Sequence, residues 1–502
     1  MTKPELPETD TERRERQERI PAPLHWRAVA LVAAVVGVVH LAVATRFGWH
    51  RDEFYYVICG RHPDWGYVDQ PPLAPLLARA AAALPGGMLP LRVLAIAAQV
   101  GCVLLAAVLA AEFGGRRRAQ VLAAGAVAAS PVFVAASLLF GTTVLDQLAW
   151  AAVLVLVARA LRRGTVGAWL AAGVVAGIGL QNKSTLAVLL LGVLAGLAIY
   201  RREVLRTPGP WLAGGLAALI LAPNLVWDAR HQWANLHMAQ VLSAQQGGVP
   251  GALAQLPLTL LLLAGPPLVV LWVAGVRRLG SAAGREHRWL LVVAVVAVVL
   301  FTAGGGKSYY VAPVLIGLFA AGAVRAEEHA DNRVAWPVAM VACGLAAVLI
   351  GLPTLTPAVS SALRAVDPEP METYGWPGYT DQVIRAAAGF PSGTPIFTSN
   401  YGEAGALTIL GPGRGLHNPV YSAHNNYLLW GPPPGTPDTV LCVGQWNTAY
   451  LHRFWSDVTT VAPITLPHGL TDQETSRHAA IYLCRAPHGT WAQLWPDLRH
   501  LG

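Results

Sequence analysis

Blocks of about 15 to 25 apolar residues recur from Trp26 to Leu352, with arginines clustered in the short gaps between them. A bilayer span needs about 20 mostly apolar residues, so the pattern implies a polytopic α-helical membrane protein and excludes an ordinary soluble domain. The composition agrees: 54% of the 502 residues are hydrophobic, 13% are charged, and mean hydropathy is +0.45. The formal net charge of +8 could signal a nucleic-acid partner. Positive-inside topology accounts better for arginines placed between apolar blocks, so no nucleic acid is expected.

Alternating the blocks across the membrane gives one self-consistent path of about eleven spans. A polar tail, residues 1–25, is expected to be disordered in the cytoplasm and too hydrophilic for a signal peptide; its Arg13, Arg14, Arg16 and Arg19 fix the side. Residues 26–352 form the transmembrane domain, with spans expected at 26–45, 91–113, 121–140, 148–161, 166–180, 185–200, 211–226, 256–276, 289–301, 311–324 and 334–352. Residues 73–84 are apolar but short, as suits a helix lying on the outer surface. Residues 353–502 change character: strand-type runs at 395–398, 439–443 and 481–483 and helical candidates at 381–388 and 402–410 suggest a small extracytoplasmic α/β domain. The five cysteines show no metal-ligand or redox spacing, although Cys442 and Cys484 could pair outside the cytoplasm.

This path puts Asp52, Glu53, Asp146, Lys183, His231 and Lys307 on one outer side and every dense arginine cluster on the other. Residues 50–72, read as an outer loop, concentrate acids, bases and aromatic rings beside a span, an expensive arrangement unless it serves a site. Asp52 and Glu53 suit a general base and its partner, and nearby rings would partly desolvate them. A solvated pair facing Arg51 or Arg61 is the plainer alternative. Asp146, among apolar neighbours, needs a partner such as Lys183 or Arg51, or else serves as a helix-terminal carboxylate. Lys183 and Lys307 are the only lysines after Lys3, and both sit in tight outer turns. A lysine there usually snorkels, but its use where arginine serves elsewhere points to a compact cation for an anion. The glycines 304–306 could bring backbone N–H groups to a phosphate, or form a plain turn. Arg51, Tyr55, Tyr56, His62, Tyr67, Gln70, His231, Tyr309 and Tyr310 complete the candidate substrate contacts. Acids to deprotonate a hydroxyl, cations for a phosphate leaving group and rings for a sugar face together fit sugar transfer from a lipid-phosphate carrier.

The chain resembles the bacterial branch of the protein O-mannosyltransferase and aminoarabinose lipid A transferase superfamily, multi-span glycosyltransferases of the GT-C fold that use polyprenyl-phosphate sugars. The likeness runs through DEFYYVICGRHPDWGYVDQPPL, TTVLDQLAW, GIGLQNKSTL, PNLVWDARHQW and GKSYYVAPV, and continues in NYGEAGALTIL, YSAHNNYLLWGPPP and LWPDL. It implies Asp52 as the base or its closest partner, Asp146 as a second outer carboxylate, and Lys183, Lys307 and Tyr310 as carrier-phosphate contacts. Gln70 stands where many relatives carry histidine. The resulting expectation is a metal-optional, inverting glycosyltransferase of the cytoplasmic membrane, moving a mannose- or pentose-like sugar to a hydroxyl acceptor, with at most a divalent metal as cofactor. A transporter or lipid flippase is the principal rival, but the charges gather at one side instead of mid-membrane. A scaffold protein would not need this set of acids and cations.

Overall fold

The computed structural model describes residues 21–329 and 334–502. The expected disorder of residues 1–20 and the inside position of Arg333 lie outside the described residues. Up to residue 351 the fold is helical: α1 (Trp26–Val43), α2 (Arg51–Arg61), α3 (Leu73–Ala82), α4 (Leu89–Glu112), α5 (Arg117–Ala129), α6 (Pro131–Ala136), α7 (Thr142–Arg163), α8 (Val166–Leu180), α9 (Leu186–Tyr200), α10 (Pro208–Arg230), α11 (Ala234–Gln245), α12 (Gly248–Ala264), α13 (Val269–Gly280), α14 (Trp289–Ala303), α15 (Val314–Glu328) and α16 (Ala335–Gly351).

Among the described residues α1, α4, α7 and α10 are long and apolar enough to cross a membrane, and α11 with α12, bent by 68°, brings the number to as many as 5. Helices α3, α8, α9, α14 and α16 are apolar but shorter, at 10–17 residues. The pattern of about eleven apolar blocks therefore corresponds to fewer full-length helices, and two expected spans are broken. Residues 121–140 divide at Ser130–Pro131, where Ser130 is extended. Residues 256–276 divide at Gly265–Pro266–Pro267, where Gly265 has φ 92°. Proline lacks an amide hydrogen and drives the preceding residue out of the helical region, which a hydropathy window does not register. The expected outer loop at 227–255 is largely helical, and so is the start of 50–72.

Helix α15 lies inside the bundle: 12 of its 15 residues are buried, as expected for a helix apolar on every face. Helix α7 sets the polarity of the site, with Asp146 near its start and Arg162 near its end, about 24 Å apart at helical rise. At the Arg162 end, Arg116, Arg201, Arg278, Arg285 and Arg288 join it around a cavity of about 1330 Å³. Arginines from three separate inter-helix connections and from the ends of α7 and α13 thus gather at one end of the bundle, while the acids and lysines of the candidate site gather at the other.

The C-terminal segment carries a five-stranded sheet ordered β2-β1-β3-β5-β4. Its strands are β1 (Ile396–Thr398), β2 (Val420–Ser422), β3 (Thr439–Gly444), β4 (Trp455–Pro463) and β5 (Ala480–Pro487). β1 runs parallel to β2 and β3, and β5 pairs antiparallel with β3 and β4. Sequence reading finds three of the five. It misses β2, only three residues long, and β4, whose mostly exposed face lacks a clean apolar signal. Cys442 and Cys484 lie on neighbouring strands with Sγ atoms 3.1 Å apart, both as free thiols. Helices α17 (Trp376–Ala387) and α18 (Tyr401–Leu410) cover one face, and their apolar side chains share a core with Phe54 of α2. Through that core the C-terminal segment reaches the candidate site.

Candidate active site

Helix α2 begins where it does because of a reciprocal cap. The His50 ring accepts the Asp52 amide at 3.1 Å while the Glu53 carboxylate accepts the His50 amide at 2.9 Å. Acids in a first turn also suit the positive end of the helix. Successive helical residues point about 100° apart, so the two neighbouring carboxylates face different surroundings.

Glu53 points into the protein and is fully buried. It accepts two hydrogen bonds from Arg92 of α4, including Nη2 to Oε2 at 2.7 Å, and one from the Phe140 amide at 3.0 Å. Arg92 in turn donates to the carbonyls of Leu138 and Gly48. The pair ties the start of α2, helix α4 and the chain after α6 into one node.

Asp52 faces the other way, with 36% of its side chain accessible. Its Oδ1 accepts the Tyr401 phenol at 2.7 Å, and its Oδ2 lies 4.0 Å from His50 Nδ1. Burial alone would raise its pKa. His50, Arg51, the Tyr401 hydrogen bond and Lys307 outweigh that and hold the carboxyl below its usual range. Asp52 is therefore an accessible carboxylate that stays ionised at neutral pH. The Arg51 guanidinium lies 4.8 Å above the Tyr401 ring and 3.9 Å from Glu474.

The lysines come from the turns after α8 and α14. In the turn after α8, Lys183 Nζ donates to Thr143 Oγ1 at 3.3 Å and sits 4.6 Å over the Tyr310 ring. Lys307 Nζ lies 6.0 Å from the Tyr309 ring, and Tyr309 and Tyr310 meet edge-on at 5.0 Å. Burial lowers the Lys183 pKa to about 8, with Lys307 acting in the same direction and Asp146 opposing. Asp146 Oδ2 accepts Thr185 Oγ1 at 3.0 Å. Asn182 donates to the Thr142 carbonyl at 2.9 Å, fastening the lysine turn to the start of α7. Asp52, Lys307, Tyr309, Tyr310, Lys183 and Asp146 thus form one polar neighbourhood. Among the described residues no group of three or more His, Cys, Asp or Glu is placed to hold a metal ion.

Residues 69–227 match the family model described as dolichyl-phosphate-mannose-protein mannosyltransferase. ArnT from Cupriavidus metallidurans, solved bound to undecaprenyl phosphate, superposes with a TM-score of 0.61 at 14% identity, covering 91% of this chain and 98% of that one. Its apo form gives 0.61 at 16% identity, covering 91% and 97%. Arabinofuranosyltransferase AftD from Mycobacteria gives 0.51 at 15% identity, covering 93% of this chain and 42% of that one. No curated protein matches by sequence. The chain has the fold of the GT-C glycosyltransferases.

Several of the predicted substrate contacts have other partners. His231 stacks on Trp227 at 4.0 Å and bonds its carbonyl at 2.8 Å, making it a helix-end residue of α10. Tyr67 is fully buried and donates to the Cys59 carbonyl at 3.0 Å, closing the 59–67 loop; the Gln70 carbonyl accepts the Tyr67 amide at 2.9 Å. His62 stacks on Trp430 at 4.4 Å. Tyr56 packs against Phe140 and accepts the Thr142 amide at 3.4 Å. Of the two readings of the glycine turn, the hydrogen bonds favour the plain one. The amides of Gly304, Gly305 and Gly306 donate to Leu300, Thr302 and Phe301 carbonyls at 2.9, 3.0 and 2.8 Å, finishing α14. Gly305 has φ 60° and approaches Gly248, so close packing explains the glycine there.

Sequence reading assigned no role to four residues that shape the candidate site: Tyr401, Thr143, Thr185 and Asp69. Burial raises the Asp69 pKa to about 7, and its carboxylate receives the Tyr55 phenol at 3.0 Å. All four lie within motifs that carry the family likeness, the one available signal.

Proposed function

We propose that the protein transfers a mannose- or pentose-like sugar from a polyprenyl-phosphate carrier to a hydroxyl acceptor, with inversion, on the face of the membrane away from the cytoplasm. The observation carrying this reading is an accessible, ionised Asp52 that feels Lys307, with Lys183 next in line and Tyr309 and Tyr310 framing the lysines. As the acceptor oxygen attacks the anomeric carbon, its proton passes to Asp52. The sugar–oxygen bond to phosphate breaks with its electron pair going to the carrier, which leaves as polyprenyl phosphate. Lys183 and Lys307 offset the charge that develops on that phosphate, the role preorganised cations serve best. Asp146 orients Lys183, with Thr185 holding the carboxylate. ArnT, solved with undecaprenyl phosphate, supplies the analogy for the carrier. The arginine-lined end faces the cytoplasm in this reading, and residues 353–502 cover the opposite end and help select the acceptor.

Purified protein in detergent, given polyprenyl-phosphate-linked labelled mannose or arabinose and a cell-envelope extract, should convert at least one donor to free polyprenyl phosphate and move its label to an acceptor. Intact donor throughout would favour a carrier protein and overturn the proposal.

The state of Lys183 adds a pH signature. With a pKa of about 8 the cation is present below that pH and lost above it, so kcat/KM should fall on the alkaline side with an apparent pKa near 8. Lys183→Arg, which keeps its charge, should remove that limb at some cost in rate. An unchanged limb would assign the titration to another group.

A further inference from the structure

We propose that Tyr401, from the C-terminal segment, is a positioning residue for the transfer reaction, its phenol fixing the orientation of the Asp52 carboxylate; this rests on Asp52 being the base. Several independent contacts aim that phenol. Asn400 caps α18, accepting the Gly402 and Glu403 amides at 2.9 and 3.0 Å. At Gly402 and Gly405 an added Cβ would come within 2.7 Å of Arg51 Cβ and 2.6 Å of Phe54 Cβ, so only glycine lets α18 press this closely on α2. The Tyr401 ring stacks on His424 at 5.1 Å and packs on Tyr55 at 4.6 Å, beneath the Arg51 guanidinium. Its own amide bonds His424 Nδ1 at 3.2 Å. A ring held on both faces, with its backbone also anchored, gives a phenol with little freedom to miss its acceptor.

The arrangement makes the helical bundle incomplete as a catalyst. One oxygen of Asp52 is held by the C-terminal segment, leaving the other for the acceptor hydroxyl. Hydrogen bonding to the charged form of a carboxylate also favours that form. The other titratable or charged groups facing Asp52 are His50 and Arg51 from its own turn, Tyr56, Asp69, and Lys307 with Tyr309 from the turn after α14. None of them changes in the variant proposed below.

Tyr401→Phe keeps the ring and its stacking and removes only the hydroxyl. It should lower kcat about tenfold, leave KM for the donor nearly unchanged, and move the acid limb of kcat/KM upward by about one pH unit. The limb's position does not depend on how much protein folds, so a merely structural role would leave it in place. Tyr427→Phe, which removes a phenol from the same aromatic cluster without a hydrogen-bond partner among the described residues, is the matched control and should behave as wild type. Added to Asp52→Asn, Tyr401→Phe should cost nothing further, because it acts through that carboxylate. If Asp52→Asn is inactive and Tyr401→Phe keeps the wild-type acid limb and kcat, the positioning role is overturned while the base assignment stands. If Asp52→Asn remains fully active, both fall together.

Discussion

Asp52→Asn is expected to reduce sugar transfer by about 10³-fold, in a protein that inserts and melts like the wild type. Asparagine matches the shape of aspartate and keeps an oxygen for the Tyr401 phenol, which now bonds Asp52 Oδ1 at 2.7 Å. It lacks the capacity to take the acceptor's proton near neutral pH. The substitution should therefore act on kcat more than on KM for the donor, because the lysines proposed to face the carrier phosphate are untouched. Transfer measured in membranes with labelled polyprenyl-phosphate sugar, alongside a melting curve in detergent, separates this from misfolding. Full activity would remove Asp52 from its role. An equal loss of both kcat and folded protein would make Asp52 a structural carboxylate.

The assembly of this neighbourhood was legible before the structure because topology sorts charge. The arginine clusters fix one end, so Asp52, Asp146, Lys183 and Lys307 had to share the other, and α7 separates Asp146 from Arg162 accordingly. Hydropathy is weaker on backbone geometry. Ser130–Pro131 and Gly265–Pro266–Pro267 interrupt apolar runs whose average never drops, so the breaks disappear into the window. A tight turn rich in glycine is likewise ambiguous until its amides are followed, and those of Gly304 to Gly306 all end in α14. Tyr401 lies beyond any local reading, since its contact with Asp52 joins residues 349 apart in sequence. Composition also cannot separate two adjacent acids. Only the helical start of α2 sends Asp52 to the open face and Glu53 to the interior.

That division gives the second large effect. Arg92→Met should destabilise the folded protein by about 3–5 kcal/mol, because it strands the buried Glu53 carboxylate without its cation. Glu53→Gln leaves a neutral acceptor for Arg92 and the amides of His50 and Phe140, so it strands the Arg92 charge instead and should destabilise similarly. If Glu53 acted on substrate, Glu53→Gln would instead lower kcat at an unchanged melting temperature, and that pair of measurements decides between the roles. The double change Glu53→Leu with Arg92→Met removes both charges and should recover part of the loss, as apolar replacement of buried pairs often does. Recovery should be incomplete, since Arg92 also serves the carbonyls of Leu138 and Gly48, and Glu53 the amides of His50 and Phe140. Those four backbone groups lie where α2, α4 and the chain leading into α7 converge, so loosening them should also displace Asp52 from the lysines. The double variant is accordingly expected to melt between wild type and Arg92→Met while transferring sugar more slowly than its melting temperature alone would imply.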